Sequence, residues 1–152
     1  MKLMLAAVGR AKKGPERALF EQYAGRLKLP LDVREVEEKR PVSSSERMTR
    51  EAELLLACVP SGAVVVALDE RGKTHGSEAF AKVYSGWLER GAPCVAFLIG
   101  GADGHGDAVR TRADALLSLS PMTWPHMLVR AMLAEQLFRA QSILDGHPYH
   151  RA

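Results

Sequence analysis

An α/β layer fold, a parallel sheet covered by helices on both faces, is what this sequence predicts. Strand-like runs alternate with helical patterns along the whole chain. Residues 63–68 (AVVVAL) and Cys94–Ile99 (CVAFLI) have no polar break, as strands buried on both faces do. No linker, internal repeat or low-complexity stretch interrupts the alternation, so one domain is expected over residues 1–152.

Taken in order, Lys2–Val8 is an apolar run closed by Gly9 and reads as a buried strand. Pro15 suits the first turn of a helix. Leu19, Phe20, Tyr23 and Leu27 then share one face of it, and Pro30 stops it. Leu31–Val36 alternates apolar and charged residues, as a half-exposed strand does. Ser43 and Glu46 have capping-box spacing, with Met48, Ala52, Leu55 and Leu56 as the apolar stripe behind them. Gly62 introduces the central strand at residues 63–68. Ser77 reads as the cap of the next helix, with Phe80, Val83, Tyr84, Trp87 and Leu88 at helical spacing and Gly91 past its end. Cys94–Ile99 runs directly into Gly100 and Gly101, and a short helix at Asp107–Arg112 leads to residues 116–119, a third candidate central strand.

The last helix, residues 125–144, is apolar nearly all round: Leu128, Val129, Met132, Leu133, Leu137, Phe138 and Ile143. Glu135 and Arg139 stand at ion-pair spacing. A helix this apolar needs cover on more sides than one small domain usually provides. Self-association through it is the plainest solution, and a central core helix is the alternative.

Composition narrows the class. Apolar residues are 47% and charged residues 26% of 152, a globular mixture. Cys58 and Cys94 have neither the number nor the spacing of a disulfide framework or a structural zinc site. No apolar run approaches the ~18 residues of a membrane span. Arg10, Lys12 and Lys13 follow the opening apolar stretch where a signal peptide would place its cleavage site. A soluble, reduced, cytoplasmic protein is expected. Net charge is only +3, yet residues 1–50 carry 12 Lys and Arg against 7 Asp and Glu. That asymmetry suits a surface that meets phosphate, or a solvated face.

Three segments could carry chemistry. The junction Leu98-Ile99-Gly100-Gly101-Ala102-Asp103-Gly104 follows a strand, where open α/β sheets bind ligands and glycine admits close backbone approach. It is neither GxGxxG nor a Walker sequence, which leaves a ligand cradle and a plain tight turn as its readings. Leu119, Ser120, Pro121, Met122, Thr123 and Trp124, followed by Pro125 and His126, form a loop that prolines keep irregular yet apolar, a wall for a flat heterocycle. His126 falls in the first helical turn, where the dipole disfavours its cation and a neutral, hydrogen-bonded side chain is expected. The ending His147-Pro148-Tyr149-His150-Arg151-Ala152 gathers base, stacking and phosphate-binding groups, although termini are commonly frayed. A metal site is disfavoured there, since no carboxylate adjoins His147 and His150. Covalent hydrolysis lacks support, with no GxSxG and with Glu35, Glu37 and Glu38 on a strand expected to be exposed.

The blocks MKLMLAAVGR, LDERGK, FLIGGADG, LSPMTWPHMLVRAMLAEQLFRAQSI and HPYHR together resemble the RlmH-type ribosomal RNA methyltransferases of the SPOUT superfamily, over essentially the whole chain. Asp103 stands where many relatives have Glu, and Phe138 where Tyr is common. The resemblance implies a homodimer with a C-terminal trefoil knot, an exception to the rule against threaded connections. It implies S-adenosylmethionine as cofactor and N3 of a pseudouridine in 23S rRNA of the assembled ribosome as substrate, with no metal and no membrane. Carried over by motif, the cofactor pocket comprises Leu68, Gly100, Leu119, Ser120, Pro121, Met122, Thr123 and Trp124. Tyr149, His150 and Arg151 of one subunit would complete the pocket of the other. His150 would accept a proton or orient the base, and Arg151 would bind phosphate or developing negative charge. Arg130 and His126 stand behind them as structural or RNA-positioning residues. The rival readings are a non-catalytic ribosome-binding factor of the same fold, and a SPOUT enzyme acting on tRNA. The glycine turn and HPYHR ending argue against the first, the compact chain and that ending against the second.

Overall fold

Strands β1 (Lys2–Val8), β2 (Leu31–Val36), β3 (Val64–Lys73), β4 (Cys94–Ile99) and β5 (Ala115–Leu117) form one parallel sheet, in the order β2-β1-β4-β3-β5. This is a computed structural model, and it describes residues 1–151. Parallel neighbours require crossovers, and the helices supply them: α1 (Pro15–Ala24), α2 (Ser44–Cys58), α3 (Ser77–Glu89), α4 (Asp107–Arg112) and α5 (His126–Asp145).

The pleat sorts each strand between two cores. Leu3, Leu5, Val64, Val66, Val95 and Phe97 pack under α1, α3 and α5. Ala6, Val8, Val65, Ala67 and Leu98 face α2 and α4. Burial on both faces explains why residues 63–68 and Cys94–Ile99 carry no polar residue. Ser43 caps α2, its hydroxyl accepting the Glu46 N–H at 3.2 Å. Among the described residues no helix is long and apolar enough to cross a membrane.

Four local expectations need correction. α1 ends at Ala24 with Gly25 as its cap, so Pro30 does not stop it and Leu27 lies beyond it. Gly76, not Ser77, occupies the N-cap of α3; the Ser77 hydroxyl instead donates to Gln136 Oε1 at 3.0 Å, tying α3 to α5. Residues 116–119 do not form a central strand: β5 is three residues long and lies at the sheet edge, paired only with β3 among the named strands. Glu35 is not a solvated strand residue, because buried Arg130 of α5 reaches it.

β3 also runs past residues 63–68. Its register breaks between Leu68 and Lys73, and Lys73 then pairs with Leu117. Where it crosses, a Cβ on Gly72 would stand 2.6 Å from the Leu116 carbonyl carbon and oxygen. Only glycine permits two backbones to approach so closely.

Candidate functional site

The carboxyl ends of β3, β4 and β5 open into a cleft of about 600 Å³. Of the residues singled out by motif, Leu68, Gly100, Leu119, Ser120, Met122, Thr123 and Trp124 line it; Pro121 does not. Its floor is the turn after β4, where the Gly104 N–H donates to the Gly101 carbonyl at 3.0 Å. A Cβ on Gly100 would lie 3.0–3.2 Å from Gly104 and His105 backbone atoms, which have no flexible end to yield. The opposite wall is the proline-bounded loop. Ser118 Oγ donates to the Ser120 carbonyl and Ser120 Oγ accepts the Met122 N–H, each at 3.0 Å. Both bonds hold an irregular segment in one shape, and leave Met122 70% exposed at the rim.

Two polar groups in this cleft have no partner. His105 is 3% exposed and donates Nε2–H to the Leu98 carbonyl at 3.1 Å. Since a carbonyl only accepts, Nε2 carries a proton, and Nδ1 is enclosed without a hydrogen-bond partner. Burial holds this imidazole below its ordinary value, against the pull of the Leu98 carbonyl, Asp69 and the Leu68 backbone. Trp124 Nε1 is likewise without a partner. Both atoms are enclosed within the wall rather than open to the cleft, whose lining joins Leu68, Leu119 and Val129 to charged side chains. The cleft wall is acidic as well: Glu70 and Asp103 line it, while Asp69 is engaged by Arg110 Nε at 2.9 Å. Sequence reasoning missed His105 and Arg110; the only signal was their place just past the glycine turn. His126 also lines the cleft, and among the described residues its side chain has no hydrogen-bond partner, contrary to expectation.

Among the described residues, none of the tail lines this cleft. Gly146, in the left-handed region at φ 71°, ends α5, and the His147 N–H returns to the Ser142 carbonyl at 2.9 Å. The chain therefore doubles back over α5. Tyr149 meets the Phe138 ring edge-on at 4.7 Å, and the Arg139 guanidinium lies 4.8 Å from its centroid. Its hydroxyl donates to Glu135 Oε1 at 2.9 Å and lies 3.4 Å from the Tyr23 hydroxyl. Burial, Tyr23 and the Glu135 carboxylate push the Tyr149 phenol well above its ordinary value, so it stays protonated. Arg139 bonds Glu135, the pair expected from spacing, and its Nη1 contacts His150 Nδ1 at 2.9 Å. A guanidinium cannot accept, so Nδ1 accepts and Nε2 carries the proton. A second hollow of about 310 Å³, between α1, α3 and α5, has Tyr23, Glu135 and Gln136 in its wall and shares Leu117 and Leu119 with the cleft.

These features define an α/β protein with a parallel sheet, a cleft at its carboxyl edge and, among the described residues, a C-terminal tail docked on α5. The chain belongs to the SPOUT methyltransferase family, whose sequence profile, described as "Predicted SPOUT methyltransferase", matches residues 1–150. It is 64% identical over 151 residues to the ribosomal RNA large subunit methyltransferase H of Paramagnetospirillum magneticum, covering 99% of each chain. The protein of that name from Rhodospirillum centenum is 60% identical, with 100% of both chains covered. Among solved structures, the SpoU methyltransferase AviRb from Streptomyces viridochromogenes superposes with a TM-score of 0.50 at 13% identity, over 96% of this chain and 61% of that one, a likeness of fold.

The glycine turn offers a direct check. Gly100→Ala forces the 100–105 turn open and is expected to weaken S-adenosylmethionine binding by about tenfold to a hundredfold, or roughly 1.4–2.8 kcal/mol. Calorimetric titration reads this directly, and an unchanged Kd would show that the turn is not the cradle.

Proposed function

We propose that this chain methylates N3 of a pseudouridine in 23S rRNA of the assembled ribosome, using S-adenosylmethionine, in the cytoplasm and as a knotted homodimer. Full-length likeness to ribosomal RNA large subunit methyltransferases supports the substrate class. The cleft supports the cofactor: its glycine turn and irregular apolar loop form a cradle and a wall for a heterocycle, and Glu70 and Asp103 favour a cation. When bound, S-adenosylmethionine supplies an electrophilic methyl group. The knot implied by family membership would lie where residues 69–73 cross the end of β5.

The observation that carries the dimer is the separation of cleft and tail. The cleft is walled by its own chain, while Tyr149 and His150 are anchored on the α1–α3–α5 side and do not enter it. A second subunit meeting that side would receive them. In this arrangement Tyr149, locked as a donor to Glu135, fixes the path of the tail. His150 presents Nε2–H, 3.8 Å from Glu78 Oε1, and so orients the base by donating a hydrogen bond. Arg151, exposed at the end of the tail, stabilises negative charge developing on the base as N3 loses its proton. The remaining work is positioning N3 in line with the methyl group.

Mixed dimers test this. Gly100→Val disables the cleft and Arg151→Ala the tail, so each variant alone should be nearly inactive. Mixed equally, half of the dimers are hybrids with one intact composite site, so about one quarter of wild-type methyl transfer to ribosomes should return. No recovery in verified hybrids would place the tail's action within its own subunit.

A further inference from the structure

The turn between β1 and α1 is held in shape by a side chain from the far end of the sequence. Arg130 is 4% exposed; its Nη1 pairs with Glu35 Oε2 and its Nη2 donates to the Gly9 carbonyl at 3.0 Å. The same Glu35 oxygen accepts the Ala11 N–H at 2.7 Å. Residues 9 and 11 are thereby pinned, and Arg10, Lys12 and Lys13 are left exposed. A buried ion pair of this kind is weak evidence for stability, because desolvation offsets much of the attraction. Arg130 Nε is even left without a partner. What the arrangement yields is a defined geometry for one turn.

That turn stands beside the cleft. Ala7 is in register with Ile99, so the chain leaving β1 runs next to the Gly100–Gly101 segment leaving β4. A Cβ on Gly9 would lie 3.6 Å from Met127 Cε, one residue from His126 in the cleft wall.

Its charge is also unspent. Of the 12 Lys and Arg in residues 1–50, Lys2, Arg10, Arg17, Lys28, Arg34, Arg40 and Arg50 make ion pairs. Arg26 lies over the Phe138 ring and Arg47 bonds the Val42 carbonyl. The three that remain without such a partner among the described residues are Lys12, Lys13 and Lys39. All three follow the carboxyl ends of β1 and β2, on the edge of the sheet that holds the cleft. The positive excess of the first third of the chain is therefore concentrated at one place.

We propose that residues 9–14, with Lys39 beside them, form the platform that holds the phosphodiester backbone of the RNA next to the cleft. This rests on the RNA methyltransferase reading and adds the surface that receives the substrate. Phosphate contacts fix register without reading bases, which suits a small protein whose target base is presented by its surroundings. Arg130 and Glu35 are positioning residues here, acting through the turn.

The test compares Lys12→Ala/Lys13→Ala with Lys82→Ala/Arg90→Ala, which removes equal charge from exposed positions on and just after α3. Binding of fluorescently labelled protein to purified ribosomes is measured between 50 and 200 mM salt, an assay that needs no methyl transfer, with S-adenosylmethionine affinity measured alongside. Losing the two lysines should weaken ribosome binding by about tenfold at low salt and make the slope of log K against log salt shallower by roughly 1.4–1.8, at about 0.7–0.9 per phosphate contact. Cofactor affinity should not change, and the α3 pair should leave slope and affinity near wild type. An unchanged slope for the lysine pair, or an equal effect of the α3 pair, would overturn the platform. If methyl transfer failed while this binding pattern held, the methyltransferase reading would fall instead.

Discussion

Gly72→Ala is expected to lower the melting temperature by about 10 °C. The added Cβ would sit 2.6 Å from the Leu116 carbonyl group and 2.8 Å from the Leu117 nitrogen, all backbone. No rotamer change relieves such a contact; β3 and β5 must move apart, which strains the Lys73–Leu117 pairing and the Ser118 N–H to Lys73 carbonyl bond at 3.0 Å. Overpacking of this kind costs about 3 kcal/mol, and each kcal/mol shifts the midpoint by roughly 2–4 °C in a chain of this size. The loop proposed to hold the cofactor starts directly after β5, so S-adenosylmethionine binding should fall with stability. A thermal melt within about 2 °C of wild type would mean that the crossing is looser than its geometry implies.

Arg130→Met is expected to destabilise by about 2–3 kcal/mol, at or below the lower limit of the ~3–5 kcal/mol for breaking buried pairs, because Glu35 keeps partial access to water. Methionine fills the space but removes the guanidinium donors of the Gly9 carbonyl and the Glu35 carboxylate, leaving Glu35 only the Ala11 N–H. The deficit should depend on pH. Burial alone would raise the Glu35 pKa, yet the Arg130 bond, the Ala11 N–H and nearby charge together bring it below the usual carboxylate value. A depressed carboxylate pKa contributes stability that is present above the unfolded value of about 4.3 and is lost as pH falls through the folded one. The gap between wild type and variant in urea unfolding should be full at pH 7 and narrow below about pH 4, as Glu35 protonates. A gap constant from pH 7 to pH 3 would show that Arg130 acts by packing alone. Ribosome binding should weaken at pH 7 even under conditions where the variant is fully folded, since the lysine turn loses its clamp.

Much of the fold was legible locally. Uninterrupted runs such as CVAFLI announce strands buried on both faces, and Ser43 with Glu46 announces a helix start, because both signals lie within a few residues of each other. The edge position of β5 was not legible: three apolar residues look alike at an edge and in the centre until their partners are known. Ser77 shows the same limit, since its hydroxyl had a cap within reach and bonds Gln136, 59 residues away, instead. In the site, the glycine turn and apolar loop were visible as motifs and the structure brings them into one cleft. The orphan atoms of His105 and Trp124 were not visible, because an unpaired group is defined by what surrounds it.

The sequence by itself determined the succession of strands and helices along the chain, the faces most of them bury, and the chemical content of the glycine turn, loop and tail. These follow from side-chain periodicity and backbone preference, which act over one or two turns of chain. Tertiary structure alone decided that Arg130 reaches Glu35 and Gly9, that Gly72 passes against Leu116, and that Tyr149 and His150 dock on α5 rather than in their own cleft. The first two join residues tens of positions apart, and the third depends on where a left-handed glycine points the tail. Such meetings depend on how the layers pack, and no local pattern encodes that.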